Sequence, residues 1–419
     1  MASVSSLPQR DVPPGAAGRR GLRGRPGRRL AVPVLATVSG VFTVVMVALT
    51  FDRAVTEPMI DLAVYRAGGS AVLHGHPLYD VAAPGTGLPF TYPPVSGVLA
   101  VPLSLLPSVP AQLLWTAANL AALVALLAVA VRVVRPELAA RRRWQIAAVA
   151  LGPMLVLEPV RHAVGLGQVD SFLILAALLD LVGSQSPAVR RSRTRGVGLG
   201  VASGVKLTPL LLVLHCGLTG RRRTAITAAG AALATAVLGL VVIPADSWRY
   251  WTDLAWQPER TGPISYPPNQ SLLGVVSRVF THGQAEPGPA WTLLTLALSA
   301  AGLLLARRRY RSDPMLGDLI AVVTVLLASP ISWSHHWLWV APLILGLVLC
   351  RGPLLDPRRV AGVGLWLLFA LGPVRWVSKT PWLHPEHGAQ LLAANAYAIV
   401  AVLFLAVVAV RTLRRGAAR

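Results

Sequence analysis

Long apolar runs, broken by short clusters of arginine, glycine and proline, set the pattern of this chain. The runs at 31–51, 111–134, 223–243, 289–306 and 389–410 are each near the ~20 residues that a helix needs to cross a bilayer. In hydrocarbon the backbone must satisfy its own hydrogen bonds, so these runs predict transmembrane helices. Two further apolar stretches carry breakers. Segment 92–134 contains Pro93, Pro94, Pro102, Pro107 and Pro110, and segment 196–217 contains Gly196, Gly198, Gly200, Gly204 and Pro209. Broken or re-entrant helices are tolerated where they line a protein-buried or watery cavity. The pattern predicts an all-α polytopic integral membrane protein of about ten to twelve membrane segments, with short helices in its outer loops.

Composition agrees. Of 419 residues, 54% are hydrophobic and 13% charged, about half the ~25% charged share of soluble domains. The formal net charge of +22 sits in arginine clusters between apolar runs, as the positive-inside rule produces, and no soluble domain exists to present it to nucleic acid. The clusters are 19–29, 132–143, 190–195, 221–223, 307–311, 351–359 and 411–419. All can lie in the cytoplasm if 92–134 crosses once and 196–217 enters and returns, giving about ten full crossings and two partial ones with both termini inside. A twelve-crossing arrangement would put at least one cluster outside. The expected organisation is a disordered basic N-terminus over 1–30, a membrane domain over 31–411 and a basic tail over 412–419. Run 31–51 is too long for a signal-peptide core and reads as a retained first helix. Cys216 and Cys350 give no disulfide framework.

This topology places 52–91, 158–170, 244–288, 329–336 and 375–388 outside, with most of the unusual polar chemistry. In the first of these Asp61 precedes Tyr65, Gly68, Gly69, His76, Pro77 and Tyr79, and the loop closes on Phe90-Thr91-Tyr92-Pro93-Pro94. A carboxylate among turns and aromatics at the water–lipid boundary can build a site; it can equally cap an interfacial helix. Asp170 can cap the helix that follows it. Lys206 is harder to account for structurally, since lysine deep in a membrane segment costs roughly 2.5–3.5 kcal/mol on insertion scales. A lipid phosphate is a fitting partner, and snorkelling to an interface is the alternative.

The loop 244–288 carries Trp248, Trp251 and Trp256, then Ser265-Tyr266-Pro267-Pro268-Asn269-Gln270-Ser271, echoing the Tyr-Pro-Pro turn at 92–94. Such loops suit carbohydrate and membrane-surface packing alike. His335 and His336 are adjacent, so on a helix they point to different faces; with no zinc-type ligand pattern, no metal or other cofactor is expected. Without a P-loop or Rossmann fingerprint, ATP-driven transport and use of cytosolic sugar nucleotides find no support.

The ordered set Asp61-Leu62-Ala63-Val64-Tyr65, Gly75-His76-Pro77-Leu78-Tyr79, Phe90-Thr91-Tyr92-Pro93-Pro94, Gly167-Gln168-Val169-Asp170, Lys206-Leu207-Thr208-Pro209, Pro268-Asn269-Gln270-Ser271 and Ser332-Trp333-Ser334-His335-His336-Trp337 resembles glycosyltransferase family 87. These are the polyprenyl-phosphate-mannose-dependent α-(1→2)-mannosyltransferases of actinobacteria, with a GT-C-type helical bundle. The resemblance implies transfer of mannose, with inversion, from a membrane-held donor to a lipid-linked or glycan acceptor on the extracytoplasmic face of the plasma membrane. Asp61 matches the general base, with Asp52 and Asp170 in reserve. His335, His336, Arg161 and Lys206 are then candidates for the donor phosphate, and Tyr65, Tyr92, Gln168, Asn269 and Gln270 for the sugar or acceptor. Phosphatidylinositol mannosides, lipomannan-type glycolipids and proteins all remain open as acceptors. Another polyprenyl-phosphate sugar, such as arabinofuranose, is the alternative donor; a lipid-linked-sugar flippase is the alternative class.

Overall fold

The computed structural model describes residues 26–183, 194–280, 288–377 and 387–417. The described residues divide into two units, the first part of helix α1 up to Val38 and the rest from Ser39 on; the second concerns everything below. Residues 1–25 of the expected disordered N-terminus and 418–419 of the tail lie outside the described residues, whereas 26–30 and 412–417 are helical.

Eighteen α-helices are described and no strand; only two isolated β-bridges occur among the described residues. In order they are α1 (Pro26–Thr56), α2 (Ile60–His74), α3 (Pro94–Ser104), α4 (Ser108–Val134), α5 (Ala140–Leu155), α6 (Glu158–Leu166), α7 (Asp170–Gly183), α8 (Val197–Val205) and α9 (Leu210–Leu218). There follow α10 (Arg222–Val242), α11 (Pro244–Thr252), α12 (Leu272–Phe280), α13 (Pro289–Tyr310), α14 (Pro314–Ala328), α15 (Val340–Val348), α16 (Pro357–Leu371), α17 (Ala389–Ala394) and α18 (Ala396–Ala417). Among the described residues, five stretches are long and apolar enough to cross a membrane: Ala36–Thr56, Ser108–Val134, Arg222–Val242, Pro289–Tyr310 and Ala396–Arg415. The pair α5–α6 would be a sixth, bent by 89°, and α3 and α14 are shorter apolar helices.

The expected breaks are present. Segment 92–134 divides into α3 and α4 at Leu105–Pro107, and 196–217 into α8 and α9, with Lys206 in extended backbone (φ −147°, ψ 123°). Both α8 and α9 pack on α10. Gly196, Gly200 and Gly204, spaced four apart, bring α8 so close that a Cβ on Gly200 would overlap the Ala228 carbonyl and one on Gly204 would overlap Thr235. Near the arginine-rich turns, buried Asp318 accepts from Arg221 Nη2 (2.7 Å) and pairs with His215 Nε2 (2.8 Å), tying α9 and α10 to α14. One continuous apolar core runs through α4–α9, α13–α15 and α18.

The close α8–α10 contact predicts that Gly200→Ala destabilises the protein by about 1–3 kcal/mol through overpacking, read as a lower unfolding midpoint in detergent. Gly230→Ala on α10, where a Cβ meets nothing within 4 Å, should be neutral or gain up to ~1 kcal/mol of helix propensity.

Candidate active site

Asp61 lies in the first turn of α2, just past the end of α1. It is not a cap: Met59 occupies the N-cap position, and the Asp61 carboxylate instead accepts Gln168 Nε2 through Oδ2 at 2.8 Å. Among the described residues Oδ1 takes no hydrogen bond from the protein. Gln168 is delivered by Gly167, which ends α6 in the left-handed region (φ 73°) and packs so close to α2 that a Cβ would lie 2.7 Å from Leu62 Cβ. The Gly167 carbonyl is held by Trp115 Nε1 at 2.7 Å. The amide oxygen of Gln168 accepts from the hydroxyls of Tyr65 (3.0 Å) and Tyr92 (3.4 Å), which are themselves 3.0 Å apart. Burial raises both phenols well above their ordinary range, so they stay donors. The chain of bonds fixes the amide so that its N–H₂ faces the carboxylate. Burial lifts the Asp61 pKa to about 6, against the opposing pull of the Gln168 hydrogen bond and the Lys206 charge.

A second group lies beyond Tyr92. The Lys206 ammonium is 5.9 Å from the Tyr92 ring centroid and donates to Asp170 Oδ1 at 2.9 Å. Asp170 opens α7, and the ion pair closes the break between α8 and α9 against the start of that helix. His335 Nε2 is 3.8 Å from the other carboxylate oxygen. His335 and His336 enter on a 3₁₀ turn, Ser334–Trp339, with their rings edge to face at 4.8 Å. The expectation that adjacent histidines diverge is corrected here. Backbone periodicity does not fix ring nitrogens, and both buried rings turn toward Asp170, one ligand atom from each residue lying within 4.8 Å of the others. Lys206, Asp170 and His336 head a narrow cleft whose walls include Leu173, Ile174, Leu212, Val322, Val325 and Leu326. One polar end and apolar walls are the form of a site for a lipid with a charged head.

Glu158 is the residue that sequence reasoning passed over. Only 1% exposed, it accepts Ser334 Oγ (2.8 Å) and Arg375 Nε (2.8 Å) on Oε1 and the Tyr397 hydroxyl (3.1 Å) on Oε2. His162 shares a hydrogen bond with Ser334 (3.1 Å), and its ring packs 5.3 Å from that of His335. Glu158 thereby anchors the turn that carries the histidines. The available signal was a carboxylate within an otherwise apolar stretch, beside a proline.

The structure does not bring the other candidates together here. Arg161 and Asp52 are exposed, and the Asp52 carbonyl serves only its own helix. Asn269 and Gln270 are fully buried and their amides are consumed internally. Asn269 bonds the carbonyls of Ile264 and Pro330 and the amides of Ser271 and Ser332. Gln270 bonds the carbonyls of Pro267 and Ala394 and the amides of Tyr397 and Ala398. They brace the loop before the histidines and leave no atom free for a sugar. Asp170 accepts from Lys206 through Oδ1 and so anchors the charged head of the cleft.

An all-helical protein with several apolar spans, a half-buried carboxylate and a cleft with one charged end suits a membrane-bound glycosyltransferase. The profile of glycosyltransferase family 87 matches residues 90–330, and the chain belongs to that family. It is 35% identical over 342 residues, 77% of this chain and 80% of the relative, to a polyprenol-phosphate-mannose-dependent α-(1-2)-phosphatidylinositol pentamannoside mannosyltransferase of Mycolicibacterium smegmatis. It is 30% identical over 380 residues, 87% of this chain and 85% of the relative, to a polyprenol-phosphate-mannose-dependent α-(1-2)-phosphatidylinositol mannoside mannosyltransferase of Mycobacterium tuberculosis. No solved structure matches the chain significantly.

An Asp61 carboxyl with a pKa near 6 must lose its proton before it can accept one. With Asp61 as the base proposed below, kcat/KM for glycosyl transfer should fall as pH drops through about 6. Gln168→Leu removes a hydrogen bond that favours the carboxylate, so its acid limb should move to higher pH; an unmoved limb would show that another group titrates.

Proposed function

We propose that the protein transfers mannose from polyprenyl-phosphate mannose to a hydroxyl of a phosphatidylinositol mannoside, forming an α-(1→2) linkage with inversion at the extracytoplasmic membrane face. The observation that carries this reading is the pairing of Asp61, one carboxylate oxygen unengaged, with the Lys206-headed apolar cleft, the two joined through Tyr92. The printed names of the relatives supply the sugar, the linkage and the acceptor class. The arginine distribution supports the face, since Asp61 lies across the membrane from the clusters if these are cytoplasmic.

In this reading the polyprenyl chain lies in the cleft with its phosphate at Lys206 and the histidines. The acceptor oxygen attacks the anomeric carbon from the side opposite the phosphate. Its proton passes to Asp61, and the bond from the anomeric carbon to the phosphate oxygen breaks, leaving polyprenyl phosphate. The leaving group is already a stable phosphate ester, so positioning and charge stabilisation account for most of the rate. Gln168, locked by two phenols, keeps the base aimed.

The test is transfer from labelled polyprenyl-phosphate mannose to a phosphatidylinositol mannoside pool by purified protein in nanodiscs. Asp61→Asn should cost ~10²–10⁴-fold in kcat with folding intact, the usual worth of a general base. Lys206→Met should depress both kcat and donor affinity. Donor movement across the bilayer without a new glycosidic bond, or turnover only with an arabinofuranosyl donor, would overturn the assignment.

A further inference from the structure

The polar end of the cleft holds more lone pairs than its protein neighbours use. Among the described residues, Asp170 Oδ2 and both ring nitrogens of His335 and His336 have no hydrogen-bond partner, although His335 is only 3% and His336 only 7% exposed. Buried polar atoms are ordinarily satisfied, and an imidazole normally bonds through at least one nitrogen. A phosphate alone does not resolve this. Each neutral imidazole offers it one N–H, but the second nitrogen and the carboxylate oxygen carry lone pairs, which repel phosphate oxygens. A divalent metal ion accepts several converging lone pairs at once, and one ligand atom from each of Asp170, His335 and His336 lies within 4.8 Å of the others.

Charge points the same way. Lys206 and Asp170 cancel one another at 2.9 Å. Arg375 is bonded to Glu158, and Arg161 is exposed. A leaving phosphate that goes from one negative charge to nearly two therefore meets no net positive charge if the imidazoles are neutral.

We infer that Asp170, His335 and His336 form a binding site for one divalent transition-metal ion at the head of the cleft, where the ion would bridge the protein to the donor phosphate; that bridging role rests on the function proposed above. One carboxylate with two imidazoles is a mixed oxygen–nitrogen set, which favours a divalent transition metal such as Fe²⁺, Zn²⁺ or Mn²⁺ over the oxygen-seeking Mg²⁺ and Ca²⁺. Asp170 keeps Oδ1 for Lys206 and offers Oδ2 to the ion, so the ion pair orients the ligand as an outer-shell partner does. The ligand atoms converge without yet being at bonding separations, which is consistent with a site that tightens when metal and phosphate arrive together.

The test is Mn²⁺ binding to the full-length protein in nanodiscs after chelator stripping, followed by loss of the free-ion EPR signal with and without polyprenyl phosphate. The expected result is one ion per protein, tighter with the lipid phosphate present. Electron spin echo modulation should show two imidazole nitrogens in the wild type, a readout that needs no variant to fold. His336→Gln and Asp170→Asn should each weaken binding by more than ~100-fold, beyond the ~10–100-fold cost of losing an outer-shell partner. Absence of stoichiometric binding, or binding that survives both substitutions, overturns the proposal. If mannosyl transfer proceeds undiminished in excess chelator while no ion binds, the histidines act on the phosphate directly, and the function proposed above survives without the metal. If the ion binds as described but no mannose is transferred, the metal site holds and the donor assignment fails.

Discussion

The ion pair between Lys206 and Asp170 is the interaction on which the site depends. Two opposite charges are held in an apolar bundle where either alone would be costly. Their meeting stops α8 and starts α9, fixes the beginning of α7, and sets a charged head at the end of an apolar cleft. Pro209 follows the break at Lys206 and starts the next helix, and the glycines of α8 hold the break close against α10.

Around that pair the protein uses neutral amides and one further carboxylate to shape buried, irregular loops. Asn269 and Gln270 each bond four backbone groups of their own chain, which lets the irregular segments 263–271 and 330–334 run together inside the bundle. Glu158 gathers Ser334, Arg375 and Tyr397 in the same way. Backbone buried away from water needs such internal partners. Seen so, these side chains replace the water that a soluble enzyme would use at its loop ends.

Much of this was legible in the sequence, for an energetic reason. Charged residues are so costly among apolar runs that Asp61, Asp170 and Lys206 announce themselves, and breakers such as Pro93, Pro107 and Pro209 mark where helices divide. Spacing did not reveal depth or partner. Arg161 and Glu158 are three residues apart on the same short helix, yet one is exposed and the other enclosed. Asn269 and Gln270 have the residue types of a sugar site, but their amides turn inward to backbone more than fifty residues away in sequence as well as to close neighbours. Gln168 was placed at the site, but its part in aiming Asp61 depends on two phenols that only the fold brings to one oxygen.

The Glu158 junction has a bearing on how the protein is made. Its carboxylate is synthesised early, whereas Arg375 arrives 217 positions later and Tyr397 a further 22 positions beyond that, 239 from Glu158. A nascent chain leaving the ribosome and threading into the bilayer thus carries Asp61, Gln168 and Lys206 long before the turn bearing His335 and His336 can be locked in place. The anchorage of that turn is completed only when α18, which carries Tyr397, docks against Glu158 of α6.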